Sequence, residues 1–368
     1  MVSTKHRPTL NNPTDSSTPP IHDRAQGQIT KRIGLQNLSD QLNQCYRALL
    51  LGLLTLKRAI GQGVVALGCR WTWLEAGIMH LCRLPFARQY LKIDAIAYAY
   101  LARKSPELRL ADLKGYQLWV DLSEYQGIFL YFFGKSLEPF TSQIAATLVR
   151  PGNVCIDLGA NMGSYTFLLA ERVGATGQVY GFEPQPVLFS LLARSVAANR
   201  WESRVQLESY AVAAQSHKQL RLYVSGDSCN SGIASMVLYG DSLHADHFIE
   251  PETMALDDYC AQRKIDVCHL LKVDIEGAEF LALQGMQQLL REQRIDHLII
   301  EQATGSEAEQ LLLDCGYMGW FIDESAGQLC PLNTLDSGCF GNYLFTRAEQ
   351  AALIAQQFLV CHAAQSIH

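Results

Sequence analysis

The stretch Val154-Cys-Ile-Asp-Leu-Gly-Ala-Asn-Met-Gly-Ser-Tyr-Thr166 constrains the fold more than any other part of the chain. Val154, Ile156 and Leu158 give a short apolar run, as in a buried strand. Gly159 and Gly163, with Asn161 between them, permit backbone conformations and a close approach that a side chain would obstruct. Phe167, Leu168, Leu169, Ala170 and Val173 then fit a helix packed on a sheet, which Gly174 and Gly177 end. Strand, glycine turn and helix in that order present free amides at a helix start, where a nucleotide-like ligand binds.

The next strand, Gln178-Val-Tyr-Gly-Phe-Glu-Pro184, ends in an acid, Glu183, 26 residues after Asp157. That is where the second strand of a βαβ unit places a carboxylate for the two hydroxyls of a ribose. A dinucleotide enzyme would show G-x-G-x-x-G at the turn. Gly159-Ala-Asn-Met-Gly163, with an acid two residues before the first glycine, departs from it and argues against NAD. Strands and helices continue to alternate: a third strand over Val205–Ala211, a fourth over His269–Val273, a fifth over Ile295–Ile300, and two last strands over Gly316–Asp323 and Gly341–Arg347. Alternation of this kind predicts a mainly parallel sheet covered by helices on both faces. Its ligands sit at the carboxyl ends of the strands, which brings together Asp157, Glu183, Asp274 and Glu301. Like charges repel and raise one another's pKa, so four carboxylates on one rim point to function.

Asp157-Leu-Gly-Ala-Asn-Met-Gly163, Phe182-Glu-Pro184, Leu271-Lys-Val-Asp-Ile-Glu-Gly-Ala-Glu279 and Asn342-Tyr-Leu-Phe345 together resemble the FkbM-type methyltransferases, which use S-adenosylmethionine (SAM). The resemblance runs from about Leu118 to Arg347 and rests on four blocks in the right order. It implies an α/β, Rossmann-like class I methyltransferase fold with a seven-stranded, mainly parallel sheet, the last two strands an antiparallel pair. It further implies that Gly159, Ala160 and Gly163 let the backbone approach SAM, while Asp157 and Asn161 orient the turn and the methionine end. Glu183 then takes the ribose hydroxyls, and Ala211 lies near the adenine. Asp274 and Glu276 follow the fourth strand, where the acceptor is presented. The expected reaction is O-methylation of a hydroxyl on a sugar, glycolipid or small secondary metabolite. An alcohol must lose its proton, and a carboxylate in a partly desolvated cleft can take it. Asp274, Glu276 and Glu301 all qualify, and the sequence does not choose among them. N-methylation of a small molecule is the nearest alternative.

Other residues carry weaker expectations. Tyr125, Glu138 and Thr141 are candidates for the wall of the SAM pocket, or for ordinary core and capping. Lys272 suits a structural ion pair. Glu279 with Asp274, or His244 with His247, invites a metal reading, but none is expected. Asp257 is read as the cap of a helix over Leu256–Arg263, and Glu208 as facing solvent. The segment 218–254, inserted between the third and fourth strands, is a candidate lid.

Charge divides the chain unevenly. Residues 1–110 carry 15 Lys and Arg against 6 Asp and Glu, and residues 111–368 carry 15 against 30. An acidic catalytic part gives no reason to expect a nucleic-acid partner. The expected organisation is a disordered tail over 1–40, a basic helical extension over 41–110, and a methyltransferase domain over 111–368 with its core motifs in 153–347. Apolar runs within 41–104 are broken by Lys57, Arg58 and Arg70, short of the roughly 18 to 20 residues that span a bilayer. The extension is read either as a cap on the acidic domain or as a peripheral attachment to an anionic membrane surface. With the second reading, a non-catalytic membrane-surface scaffold stays open. No signal peptide is visible, and the 11 cysteines include no C-x-x-C pair, so a reduced, cytoplasmic setting is expected, with the inner face of the membrane as an adjunct.

Overall fold

The computed structural model describes residues 72–83, 107–225, 234–235 and 243–358, all within the second of two units of the chain, Gln62–His368. The tail expected over 1–40, most of the extension, and the loop that follows Ser225 lie outside the described residues. Among those residues no helix is long and apolar enough to cross a membrane.

Helix α1, Thr72–Cys82, is followed by a hairpin of β1, Leu108–Asp112, and β2, Gln117–Asp121. Lys114 and Gly115 at its tip both have positive φ, as tight hairpin turns require. Strand β1 begins inside the segment expected to be helical, so residues 108–110 belong with the strands that follow. Glu75 of α1 is buried and accepts hydrogen bonds from Arg109 Nε and the Tyr131 hydroxyl, both at 2.9 Å. Helix α2, Tyr125–Ile128, runs into a π-helical turn over Phe129–Phe133, and α3, Pro139–Leu148, starts on a proline whose missing N–H costs nothing there.

The βα alternation then unfolds as expected: β3 Val154–Leu158, α4 Ser164–Val173, β4 Gln178–Phe182, α5 Pro186–Asn199 and β5 Val205–Glu208. The third strand ends three residues earlier than the sequence suggests. Ala211–Val212 (β6) leaves the main sheet and pairs instead with β10, Thr253–Met254. Between them the insertion forms its own small sheet, with β7 Leu222–Ser225 flanked by β8 Ala234–Ser235 and β9 Leu243–Ile249. Helix α6, Leu256–Arg263, leads to β11 Cys268–Val273. The helix expected after it is two short ones, α7 Glu279–Gln284 and α8 Gln287–Arg291. Asp257 caps α8 rather than its own helix, accepting from the amides of Gln288 and Leu289 at 2.9 Å each. Glu208 is buried, not solvated, and accepts from the Tyr259 hydroxyl and from Arg263. The chain finishes with β12 Ile295–Ala303, α9 Glu307–Asp314, β13 Tyr317–Asp323, β14 Gln328–Pro331, β15 Phe340–Arg347 and α10 Ala351–Gln357.

The main sheet has the order β14-β13-β15-β12-β11-β3-β4-β5. The five strands from β12 to β5 are mutually parallel, and β15, β13 and β14 add an antiparallel edge. Strand β14 is an eighth beyond the seven expected, since the turn after Asp323 folds Gln328–Pro331 back on β13. Residues alternate between the faces: Cys155, Leu270 and Ile299 pack on one apolar layer, while Ile156, Leu271 and Ile300 pack on the other. Each such side chain, removed from water, contributes roughly 1.5–3 kcal/mol, which holds both helical layers on the sheet.

Candidate functional site

Strand β3 has β4 on one side and β11 on the other, so the connections turn in opposite directions from it. An open α/β sheet leaves a crevice at the carboxyl ends beside such a switch point. A cavity of about 380 Å³ lies there. Nine of the ten candidate residues line it: Asp157, Gly159, Ala160, Asn161, Glu183, Ala211, Asp274, Glu276 and Glu301. Gly163 does not. It takes φ 98° at the start of α4, and a Cβ there would stand 2.7 Å from Phe167 and 2.8 Å from Leu192, so its small size serves the packing of α4 and α5. Gly159, at φ 82°, is small for a related reason: a methyl group there would collide with the backbone carbonyl of Asp274. The glycine turn and the start of the β11 loop are thereby pressed together.

Carboxylates on the β3–β4 side are held by hydrogen bonds. Asp157 Oδ2 accepts from the Thr166 hydroxyl at 2.5 Å, while burial pushes its carboxyl up to about 6. Glu183 is also buried. Its Oε2 accepts from the Asn161 amide at 2.8 Å and its Oε1 from the Gln185 amide at 2.9 Å. Burial raises it to about 7 against the pull of those two amides. Each oxygen keeps a free lone pair. Asn161 is a non-glycine residue at φ 52°, and its Oδ1 is buried without a hydrogen-bond partner.

The β11–β12 side is built differently. Lys272, fully buried, directs its Nζ to Asp274 Oδ2 and to Asn342 Oδ1, both at 3.0 Å. The Asn342 amide in turn donates to Glu138 Oε1 at 2.6 Å, and the Tyr165 hydroxyl donates to Glu138 Oε2 at 2.8 Å. An unbroken chain therefore joins Tyr165 of α4, Glu138 at the start of α3, Asn342 of β15, Lys272 of β11 and Asp274 just after that strand. Beyond it, Glu276 sits at φ 55° followed by Gly277 at φ 93°. Glu279 stabilises that turn, its Oε1 accepting from the amides of Ile275 and Gly277, so it serves the loop rather than the cavity. Burial, then the charge of Asp274, raises Glu276 to about 7 and Glu301 to about 8.

Of the three residues considered for the pocket wall, Tyr125 and Glu138 line the cavity, and Thr141 is fully buried beside it in α3. Leu220 and Leu222 from the insertion also reach the lining. The His244 side chain lies outside the described residues, and among the described residues no three His, Cys, Asp or Glu side chains converge as metal ligands. Asn342 and Tyr165 did not emerge from the sequence as site residues. Asn342 opens the block Asn342-Tyr-Leu-Phe345 noted above and Tyr165 lies in the glycine-turn stretch, but neither pattern assigns them a role.

Comparison with known proteins gives a consistent assignment. Residues 157–318 match the family described as the methyltransferase FkbM domain. The 31-O-demethyl-FK506 methyltransferase FkbM of Streptomyces tacrolimicus is 28% identical over 163 residues, covering 38% of this chain and 61% of that protein. The methyltransferase sdnD of Sordaria araneosa is 24% identical over 208 residues, covering 50% of this chain and 77% of that protein. A crystal structure of a methyltransferase FkbM from Methylobacillus flagellatus aligns at a TM-score of 0.33 and 15% identity, over 60% of this chain and 53% of that one. The family is thereby shown for residues 157–318, which form a methyltransferase FkbM domain within the chain.

Proposed function

We propose that the cavity binds SAM on its β3–β4 side and that the β11–β12 side deprotonates an acceptor hydroxyl, which is then O-methylated. The observation that carries this reading is the clustering of Asp157, Glu183, Asp274, Glu276 and Glu301 around one cavity, with Asp157 and Glu183 held by hydrogen bonds at one end and Glu276 and Glu301 raised by burial and by the charge of Asp274 at the other. The chain's residues fit SAM on four counts. A buried carbonyl oxygen, Asn161 Oδ1, is free to accept from an ammonium group. Glu183 keeps lone pairs for a ribose diol. An acid-rich wall favours a ligand whose charge is net positive. Tyr210, Ala211 and Val212 offer an apolar edge for the base.

When bound, SAM supplies an electrophilic methyl group on sulfur. The protein's task is alignment of nucleophile and methyl carbon, and removal of the hydroxyl proton. Glu276 and Glu301 suit that proton, since their pKa values, about 7 and about 8, lie near working pH and no hydrogen bond lowers either. Asp274, paired with Lys272, is placed to orient the hydroxyl. The acceptor is read as a sugar, a glycolipid or a small secondary metabolite, and the location as cytoplasmic. Support for oxygen as the acceptor atom comes from these raised carboxylates, because an amine would need less base catalysis. The curated Streptomyces relative, whose name specifies a 31-O-demethyl substrate, agrees with that reading.

Calorimetry of the full chain with SAM tests the first half: absence of binding defeats it. A labelled-methyl transfer screen over glycans, lipids and small alcohols tests the second half. Label appearing only on amines would turn the assignment to N-methylation. The basic character of residues 41–104, ten Lys and Arg against three Asp and Glu over 41–110, supports peripheral attachment to an anionic membrane surface. Sedimentation with anionic liposomes, comparing the full chain with one beginning near Leu110, tests that point, and equal partitioning removes both the attachment and the scaffold reading.

A further inference from the structure

Helix α3 begins at Pro139, and the residue in its capping position is Glu138. The free amides of a first turn, at the positive end of the helix, favour a carboxylate. Glu138 does not supply it, because both of its oxygens are committed to Asn342 and Tyr165 in the cavity wall. The free amides are satisfied from elsewhere. Glu324, in the turn between β13 and β14, accepts from the Phe140 amide through Oε2 at 2.9 Å and from the Thr141 amide through Oε1 at 2.6 Å. This cap comes from 183 residues away and is bidentate, with a negative charge on the positive end of the helix.

From this exchange of partners we propose that Glu324 is a positioning residue: by capping α3 from the antiparallel edge of the sheet, it releases Glu138 to hold the Asn342–Lys272–Asp274 chain in the cavity wall. Two carboxylates can reach one helix start, and only one can occupy it. While Glu324 holds the amides, Glu138 keeps Tyr165 and Asn342. Without Glu324, Glu138 is the nearest carboxylate to the exposed amides and swings onto them. Asn342 then loses its acceptor, and the Lys272 that Asn342 shares with Asp274 loses its fixed position. The antiparallel edge thereby acts on the reaction site without touching it.

The proposal rests on the reading of the cavity as the SAM site, so its test begins with the parent chain. Calorimetry with SAM is run across pH on the parent and on Glu324→Ala and Glu324→Gln. A Ser306→Ala control removes an ordinary local cap, since Ser306 accepts from the Glu309 amide at the start of α9. Expected is an affinity about tenfold weaker in Glu324→Ala, with Glu324→Gln between it and the parent, from the size of a lost charged cap. Glu138 also adds to the charge that raises Glu301, together with Asp274 and Glu276 and against Lys272. Withdrawing Glu138 therefore moves the pH dependence of binding to lower pH. Ser306→Ala is expected to lose thermal stability and keep parental affinity and pH dependence, which a merely structural role for Glu324 would also show. Parental affinity and pH dependence in Glu324→Ala overturn the proposal, and if that variant does not fold, the same result in Glu324→Gln does so. Should the parent itself fail to bind SAM, the site reading falls, and a crystal structure of either variant decides the inference alone. Glu138 moved onto the Phe140 and Thr141 amides upholds it, and Glu138 still on Asn342 and Tyr165 overturns it.

Discussion

Two halves of one cavity handle their carboxylates in opposite ways. On the β3–β4 side, Asp157 and Glu183 are fixed by a hydroxyl and two backbone amides, which hold each carboxylate in one rotamer. On the β11–β12 side, burial and the charge of Asp274 raise Glu276 and Glu301, and Lys272 opposes both. Fixed acceptors suit a contact that must be the same before and after reaction, such as a ribose diol. Carboxylates raised toward neutral pH suit a group that must gain a proton during it. Lys272, the one buried lysine or arginine among the described residues, sits between the halves. It partners Asp274 on one side and lies under the charge of Asp157 on the other, and both carboxylates favour its charged form against burial.

The comparison breaks most readily at the base. With an acceptor in hand, Glu301→Gln and Glu276→Gln are expected to lower kcat by about 10²–10⁴-fold for whichever serves as base, with SAM affinity close to parental. Single-turnover kinetics check this, and unchanged rates in both would remove them from the chemistry. Lys272→Met leaves Asp274, about a third exposed, without its ion partner and takes from Asn342 Oδ1 its donor. Its expected cost is about 2–3 kcal/mol in urea unfolding, below that of breaking a wholly buried pair because water reaches Asp274. A smaller effect is expected on the fixed side. Glu183→Ala should weaken SAM binding by about ten- to a hundredfold in calorimetry, the range for hydrogen bonds to a charged acceptor. Its kcat at saturating SAM should stay near parental, which separates holding the donor from transferring its methyl group.

Much of this arrangement was legible in the sequence because it follows from short-range rules. Apolar strands that end in an acid at each of four carboxyl ends can only converge on one rim, whatever the details of packing. What escaped was set by contacts distant in sequence. The gap between Glu138 and Asn342 is 204 residues, and nothing in either neighbourhood predicts their meeting. Spacing alone cannot tell a glycine that lines a cavity from one that packs on Phe167 and Leu192, and of the pair only Gly159 lines it. Asp257 looked like a local cap, but the open amides of α8 were nearer in space than those of its own helix. The exit of Ala211 from the main sheet depends on Thr253 arriving as a partner, a pairing that no local pattern encodes.

The smallest expected effect also bears on the contrast, and it concerns stability rather than rate. Glu276 and Glu301 bind their protons more tightly in the folded chain, near pH 7 and 8, than in the unfolded chain, where a glutamate titrates near about 4.3. Folding is thus undisturbed by them below about pH 4, and the destabilisation grows as pH rises through the folded values and the carboxylates must ionise in place. A glutamine carries no charge to bury. Glu301→Gln and Glu276→Gln are therefore expected to raise Tm by about 2–4 °C at pH 8 and to leave it unchanged at pH 4, for roughly a kcal/mol gained in a chain of this size. The sign is what matters. Glu183→Ala removes a carboxylate raised by burial too, but it also orphans the Asn161 and Gln185 amides, so its Tm should fall at both pH values. Scanning calorimetry of the three variants at both pH values decides whether the two halves differ as described. A Tm gain at pH 8 in Glu183→Ala would mean that the β3–β4 side is held no more firmly than the other, and a loss there in both glutamine variants would mean that Glu276 and Glu301 are held as firmly as the carboxylates opposite them, with neither poised to take a proton.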